Sequence, residues 1–223
     1  MGLGVVAMRE PISPDMDRRT KQSPTTRRDE IRETAARLFV RHGYRGTTMR
    51  AIASEAGILK GSLYHYFESK QQLLDEIVMA PHATLLQHIA GSVGELDKPP
   101  LVAIDYFVRS HVITLRAHLS ASANFYTDSR YLTLDARTKV LSIRRRYRQI
   151  LQQLIRRGQE DGSIRSDIEP SMIAASILTM LNGLHQWYRP DGRRSIVDVA
   201  DILASFAVSG LASRASQVNG RDS

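Results

Sequence analysis

The stretch from Thr47 to Phe67 constrains this chain most tightly. It reads Thr-Thr-Met-Arg-Ala-Ile-Ala-Ser-Glu-Ala-Gly-Ile-Leu-Lys-Gly-Ser-Leu-Tyr-His-Tyr-Phe. Met49, Ile52, Ala53 and Ala56 recur at helical spacing and form the inner face of a short helix capped by Thr47 or Thr48. Gly57 ends it, and a second short helix covers about Lys60 to Phe67, anchored by Leu63 and Phe67 at i, i+4. Two short helices around a glycine-containing turn follow the helix-turn-helix plan, in which the first packs across the second and the second enters a DNA major groove. A helix about 10–12 Å wide suits a groove about 12 Å wide.

The outer side of the second helix is made of Lys60, Ser62, Tyr64, His65 and Tyr66. Serine and tyrosine hydroxyls bond phosphate oxygens, and Lys60 adds charge. Gly61 lets the backbone come close to a partner, because it has no side chain to fend it off. A short helix packed at a domain edge also carries Tyr and His, so this face alone leaves plain packing open.

The flanking pattern is helical throughout. From about Thr25, residues Ile31, Ala35, Leu38 and Phe39 share one helical face, and Gly43 stops that helix at positive φ. Ser69 caps a connecting helix over about 69–90, with Leu73, Leu74, Ile77 and Val78 as its buried stripe. After Pro81 the chain changes character, punctuated by Gly91, Gly94, Pro99 and Pro100. Long helical patterns follow over 101–119, 133–160, 170–187 and 196–212, and strand-like alternation is missing. The expected fold is all-α. It comprises a disordered arm over 1–23, a three-helix head over 24–70, a helical bundle over 71–213 and a disordered tail over 214–223.

Charge agrees with an anionic partner for the head. The chain carries a net +8, and residues 1–70 hold 13 Lys and Arg against 8 Asp and Glu, most of the excess in the first third. Such asymmetry is the electrostatic footprint of nucleic-acid binding.

The segment from Arg27 to Leu74 resembles the DNA-binding head of the tetracycline-repressor (TetR) family. The resemblance rests on Phe39, Gly43-Tyr44, Thr47-Thr48, Ile52-Ala53, Ala56-Gly57, the run from Lys60 to Phe67, Ser69-Lys70 and Leu73-Leu74. It implies a DNA-binding regulator, contacting double-stranded DNA through Arg27, Thr47, Thr48, Lys60, Gly61, Ser62, Tyr64, His65, Tyr66 and Lys70. Ser69 and Lys70 open a helix whose N-terminal amides favour a phosphate. One position departs from the family: Leu59 stands where Ser or Thr caps the recognition helix, and Leu cannot accept the amide bonds of a cap. Either that helix start frays, or Ile58 and Leu59 pack as a staple. The sequence Ala56-Gly57-Ile58-Leu59, together with Trp187 to Gly192, is similar to members of the family that govern steroid and fatty-acyl-CoA catabolism.

A reader of palindromic operators needs two rigidly held heads. Helices 171–187 and 196–212 are apolar around much of their circumference and rich in small residues, so both must be buried on more than one face. Pairing them across a two-fold axis gives a four-helix homodimer interface, as the resemblance also implies. Central helices of a monomer would read the same way. For a small-molecule effector, Tyr106, Phe125, Tyr126 and Trp187 are the candidate apolar lining, and Arg109, Arg116 and Arg144 the candidate partners for an anionic end. The run Arg144-Arg145-Arg146 with Arg148 otherwise makes a solvated face.

Other classes find little support. Cysteine is absent, HExxH and GxSxG are missing, and the seven histidines (among them His82, His88, His111 and His118) are scattered. No catalytic residue, metal or cofactor is therefore expected. No apolar run reaches the roughly 18 residues of a membrane span, and the expected location is the cytoplasm. An architectural DNA binder without a sensor would share the head but would not need so large a C-terminal part.

Overall fold

Local stops and caps set most of the element boundaries. The computed structural model describes residues 26–93, 98–117 and 119–213; the arm expected over 1–23 and the tail over 214–223 lie outside the described residues. Helix α1 (Arg27–Gly46) starts at Thr26, whose hydroxyl accepts from the Asp29 amide while the Asp29 carboxylate accepts from the Thr26 amide. This reciprocal box satisfies two amides that no helix turn can reach. Gly43 breaks α1 at φ 71, the left-handed conformation that other residues resist. Thr48 rather than Thr47 caps α2 (Met49–Glu55), its Oγ1 accepting from the Ala51 amide at 3.1 Å. Gly57, at φ 65, turns the chain into α3 (Lys60–Tyr66).

Helix α4 (Lys70–Val93) runs straight through Pro81, where the sequence pattern suggests a change of character. Proline removes the amide that would meet the Ile77 carbonyl and crowds that carbonyl, a cost offset by the contacts this helix makes with several neighbours. Helix α5 (Pro100–Ala117) follows, then α6 (Leu119–Asp128), a short 3₁₀ turn (Ser129–Tyr131) and α7 (Leu134–Glu160). The sequence pattern gives no sign of α6. The single helix expected over 170–187 is two, α8 (Pro170–Asn182) and α9 (Leu184–Trp187), broken at Gly183. Helix α10 (Ile196–Leu211) opens on a second capping box, Ser195 with Asp198. Among the described residues the fold is all-α, with one isolated antiparallel bridge between Ile164 and Ala212.

Two apolar cores organise these helices. The first joins Ile31, Phe39, Ile52, Leu63 and Phe67 of the head to Leu73, Leu74, Ile77 and Val78 of α4. It does not stop at residue 70, because Ala121 of α6 and Leu132, Ala136 and Val140 around the start of α7 complete it. The second core brings together Ile104, Phe107 and Val108 of α5, Tyr147, Leu151 and Ile155 of α7, and the inner stripes of α8 and α10. Helices α5 and α10 pack along much of their length, while α6 lies against α1. Helix α6 thus fastens the head to the rest of the chain.

Candidate nucleic-acid interface and effector site

The recognition helix is too short to hold its own shape. Seven residues fall well below the roughly 12–15 at which an isolated helix becomes even marginal. Tertiary anchoring supplies the difference: Leu63 and Phe67 are wholly buried, each contributing about 1.5–3 kcal/mol of burial. Leu59 makes no capping bond and is 78% exposed, while the Ile58 side chain packs on the head core. Half of the expected staple therefore exists. What remains outward on α3 is one face, with Lys60, Gly61, Tyr64 and His65 all exposed and Ser62 half-buried beside them. The Lys60 ammonium lies 5.9 Å from the Tyr64 ring centre. A Cβ on Gly61 would meet nothing within 4 Å, so nothing inside the protein demands glycine there.

Several other expected contacts turn inward. Thr47 is buried, and its hydroxyl donates to the carbonyls of Leu38 (3.3 Å) and Gly43 (3.0 Å), so it is a structural pin and not an exposed DNA contact. The Thr48 hydroxyl is exposed but engaged as the cap of α2. Lys70 donates to the carbonyls of Tyr44 and Thr47, both at 2.8 Å, and rides 4.3 Å over the Tyr44 ring. Burial lowers its pKa, and two of its three donors are spent holding the end of α1. Tyr66 is half-buried against the head core. Arg27 pairs with Glu30 at 2.6 Å and donates to the Ala56 carbonyl at 2.6 Å, closing α1 onto the end of α2.

Arg28 stands out only in the folded chain. Its guanidinium donates to the Tyr66 carbonyl, pairs with the Glu76 carboxylate at 2.6 Å and lies 4.2 Å from the Phe67 ring centre. One side chain thus joins α1, the end of the recognition helix and α4. No local pattern announces this, because the partners are 38 and 48 residues away.

A joint links the head to α7. Tyr44 stacks on Tyr131 with ring centres 5.2 Å apart and donates to Gln71 Oε1 at 3.2 Å. Gln71 Nε2 donates to the Tyr131 carbonyl at 2.6 Å. One turn along α4, the Asp75 carboxylate accepts from the amide (3.2 Å) and hydroxyl (2.7 Å) of Thr133, the residue that caps α7. The first turn of α4 and the start of α7 are therefore bound through paired polar contacts.

The expected effector residues that the structure describes are spread over α5, α7 and α9. Arg109 is bound to Asp105 at 2.5 Å and also to Asp201 across α10, so its charge is already matched. Arg116 is exposed and Tyr106 half-buried; Phe125 and Tyr126 lie on α6, but their side chains fall outside the described residues. Trp187 is 54% exposed and borders an open groove of about 480 Å³, with Tyr188, Arg193, Arg194 and Ile202 around it, instead of lining an enclosed cavity. Arg144 is half-buried, close enough to His82 and His111 that its charge, after burial, helps hold down their pKa values. These two histidines, scattered in the sequence, come close enough from α4 and α5 for each other's charge to matter; the side chains of His88 and His118 lie outside the described residues.

Apolar side chains are left uncovered on α8 and on α10. Met172, Ile202 and Phe206 are exposed, Phe206 to 71%, while Ile173, Ile177, Ala200 and Ala204 point into the core. Small residues lie beside them: Ala175, Ser176 and Thr179 on α8, Ser205, Ser209 and Gly210 on α10. Among the described residues no group of three or more His, Cys, Asp or Glu is placed to hold a metal, and no helix is long and apolar enough to cross a membrane.

Known proteins share this arrangement. Residues 31–77 match the family described as bacterial regulatory proteins, tetR family, and residues 97–211 match the tetracyclin repressor-like C-terminal domain. The HTH-type transcriptional repressor KstR2 of Rhodococcus jostii (strain RHA1) is 33% identical over 191 residues, covering 84% of this chain and 92% of that protein. The ketosteroid transcriptional regulator KstR2 of Mycobacterium tuberculosis superposes with a TM-score of 0.79 at 25% identity, over 86% of this chain and 97% of that one. AibR, solved with isovaleryl coenzyme A and operator DNA, superposes with a TM-score of 0.68 at 26% identity, over 81% and 97%.

Proposed function

This chain belongs to the tetR family of bacterial regulatory proteins, and from that premise we propose that it is a cytoplasmic homodimeric repressor released from a palindromic operator by an acyl-CoA effector. The observation that carries the DNA half is the outward face of α3. Lys60, Gly61, Tyr64 and His65 line one side of a helix whose opposite side is pinned by Leu63. In this reading Lys60, Ser62 and Tyr64 take phosphates, Gly61 lets the backbone approach, and His65 reaches toward base edges. Arg27, Thr48, Tyr66 and Lys70 contribute from the rim, through whatever donors their internal bonds leave free.

Dimerisation follows from the uncovered apolar side chains of α8 and α10. Exposed Met172, Ile202 and Phe206, with small residues between them, suit the close approach of a second copy. A two-fold axis there sets two heads on half-sites about 34–36 Å apart.

Two observations support an acyl-CoA effector. The neighbour AibR was solved with isovaleryl coenzyme A, and the groove beside Trp187 sets an exposed indole next to Arg193 and Arg194, chemistry suited to a nucleotide ring and its phosphates. Release requires an effector that binds the two states unequally. The joint of Gln71 and Asp75 with Tyr131 and Thr133 gives such a difference a path from α7 into α4 and the head.

The test is a footprint on DNA flanking the gene, at about 0.15 M salt with competitor DNA present, since affinity for non-specific DNA falls steeply with salt. A protected palindrome, lost on adding isovaleryl-CoA or a longer acyl-CoA, is the expected result. Protection without sequence preference would make the protein an architectural binder. Protection indifferent to every acyl-CoA would refute the effector.

A further inference from the structure

Where α4, α5 and α7 meet, the interior of the body is polar. His111 and Tyr147 are 3% and 4% exposed, and the Tyr147 oxygen lies 2.5 Å from His111 Nδ1. The Tyr147 ring packs on Phe107 with ring centres 4.6 Å apart, which fixes the direction of its hydroxyl. His82 stands nearby on α4, its Nδ1 donating to the Val78 carbonyl at 2.8 Å, and Arg144 precedes Tyr147 by one turn of α7.

The hydrogen bonds assign the His111 proton. Among the described residues Tyr147 has no acceptor other than His111 Nδ1, so its hydroxyl donates there and that nitrogen supplies the lone pair. The ring is neutral, since burial, and after it Arg144 and His82, lower its pKa to about 3. Its one proton therefore sits on Nε2, and Nε2 is buried with no hydrogen-bond partner among the described residues. Buried donors without acceptors are uncommon in folded proteins and destabilise them. One nitrogen thus fixes the ring through Tyr147, and the other still has a hydrogen bond to give.

We propose that His111 Nε2–H is the polar anchor of the effector and donates to an uncharged carbonyl oxygen, that of the acyl thioester. The inference rests on the acyl-CoA reading above and names the atom that would recognise the ligand. An acceptor is required because the unpartnered group is a donor in the positive field of Arg144. An uncharged acceptor is favoured because a neutral imidazole offers one hydrogen bond and no counter-charge, and Arg144 already has an interaction of its own. Occupation of His111 would pull on Tyr147, hence on α7, whose first turn is tied to Asp75 of α4.

The experiment is calorimetric titration of the full-length protein with isovaleryl-CoA and with its thioether analogue, S-(3-methylbutyl)-CoA, in which a methylene replaces the carbonyl. The wild type is expected to prefer the thioester by on the order of tenfold, the worth of one buried hydrogen bond. The double variant His111→Phe/Tyr147→Phe removes donor and partner together, and should bind both compounds alike. Its melting temperature should stay within about 3 °C of wild type or rise, because no unpaired group is left behind. His111→Gln, which retains a donor, should keep part of the preference. An unchanged preference in the double variant overturns the anchor alone. A collapse of its melting temperature marks the pair as structural and also overturns the anchor. Failure of these compounds and of longer-chain thioester and thioether pairs to bind the wild type overturns the acyl-CoA reading, and the anchor with it.

Discussion

Replacing Arg28 by Met should weaken operator binding without removing a phosphate contact. The substitution keeps the apolar stem but deletes three interactions. The pair with Glu76 is about a third exposed on both sides and contributes only about 0.5 kcal/mol. The charged bond to the Tyr66 carbonyl adds about 1.5 kcal/mol, and the guanidinium over Phe67 about 0.5 kcal/mol. Because these share one side chain they do not add fully, and about 2 kcal/mol per head is a fair total. In the free variant, α3 gains alternative orientations, and DNA must select the docked one. The cost appears as a dissociation constant raised by up to about 30-fold per head. Fluorescence anisotropy with a labelled operator across a salt series separates the causes. Loss of a positioning strut leaves the slope of log K against log salt unchanged, whereas loss of a phosphate contact makes it shallower by about 0.9. A shallower slope, or an unaltered affinity, would refute the reasoning.

Acid should destabilise the body through its buried histidines. His82 and His111 have pKa values lowered to about 4 and about 3, chiefly by burial, so the unfolded chain takes up protons first as pH falls. Their contribution is therefore complete above about pH 6.5 and drains away toward pH 4, by about 2 kcal/mol for each histidine at pH 5, and urea titrations should show this. Thr47→Val should lower stability by about 1–2 kcal/mol through the lost bonds to Leu38 and Gly43, yet leave the salt dependence of DNA binding unaltered. A change in that dependence would return Thr47 to the DNA face. Phe206→Glu should give a folded monomer by light scattering, since it puts a charge among the uncovered apolar side chains; a persistent dimer would move the interface elsewhere.

Much of the head is legible because its signals are local. Thr26, Thr48 and Ser69 cap helices within three residues of themselves, and Gly43 and Gly57 mark turns that demand positive φ. Helix α6 is illegible for the opposite reason. Its sequence, Leu-Ser-Ala-Ser-Ala-Asn-Phe-Tyr-Thr-Asp, has no clean stripe, because it packs against α1 and also meets α4 and α9. A helix with partners on several sides needs small residues more than a periodic apolar face. The break at Gly183 hides similarly, since the apolar pattern continues through Leu184 and glycine there keeps near-helical angles.

At the candidate site, the sequence reveals which side chains suit DNA but not which remain free to meet it. Thr47 and Lys70 have the right chemistry for phosphates, yet their donors go to carbonyls up to 26 residues away. Arg109 shows how a local signal can be underweighted. Asp105 stands one turn before it, at the spacing that pairs opposite charges on a helix, and that already argues against Arg109 as an anion receptor. His111 and Tyr147 are 36 residues apart and carry no such signal. Their pairing exists only once α5 and α7 share a core, and the same long-range packing leaves Nε2 without a partner among the described residues. Residues that position or sense depend on long-range geometry, whereas residues that face outward from a short, well-anchored helix declare themselves by type.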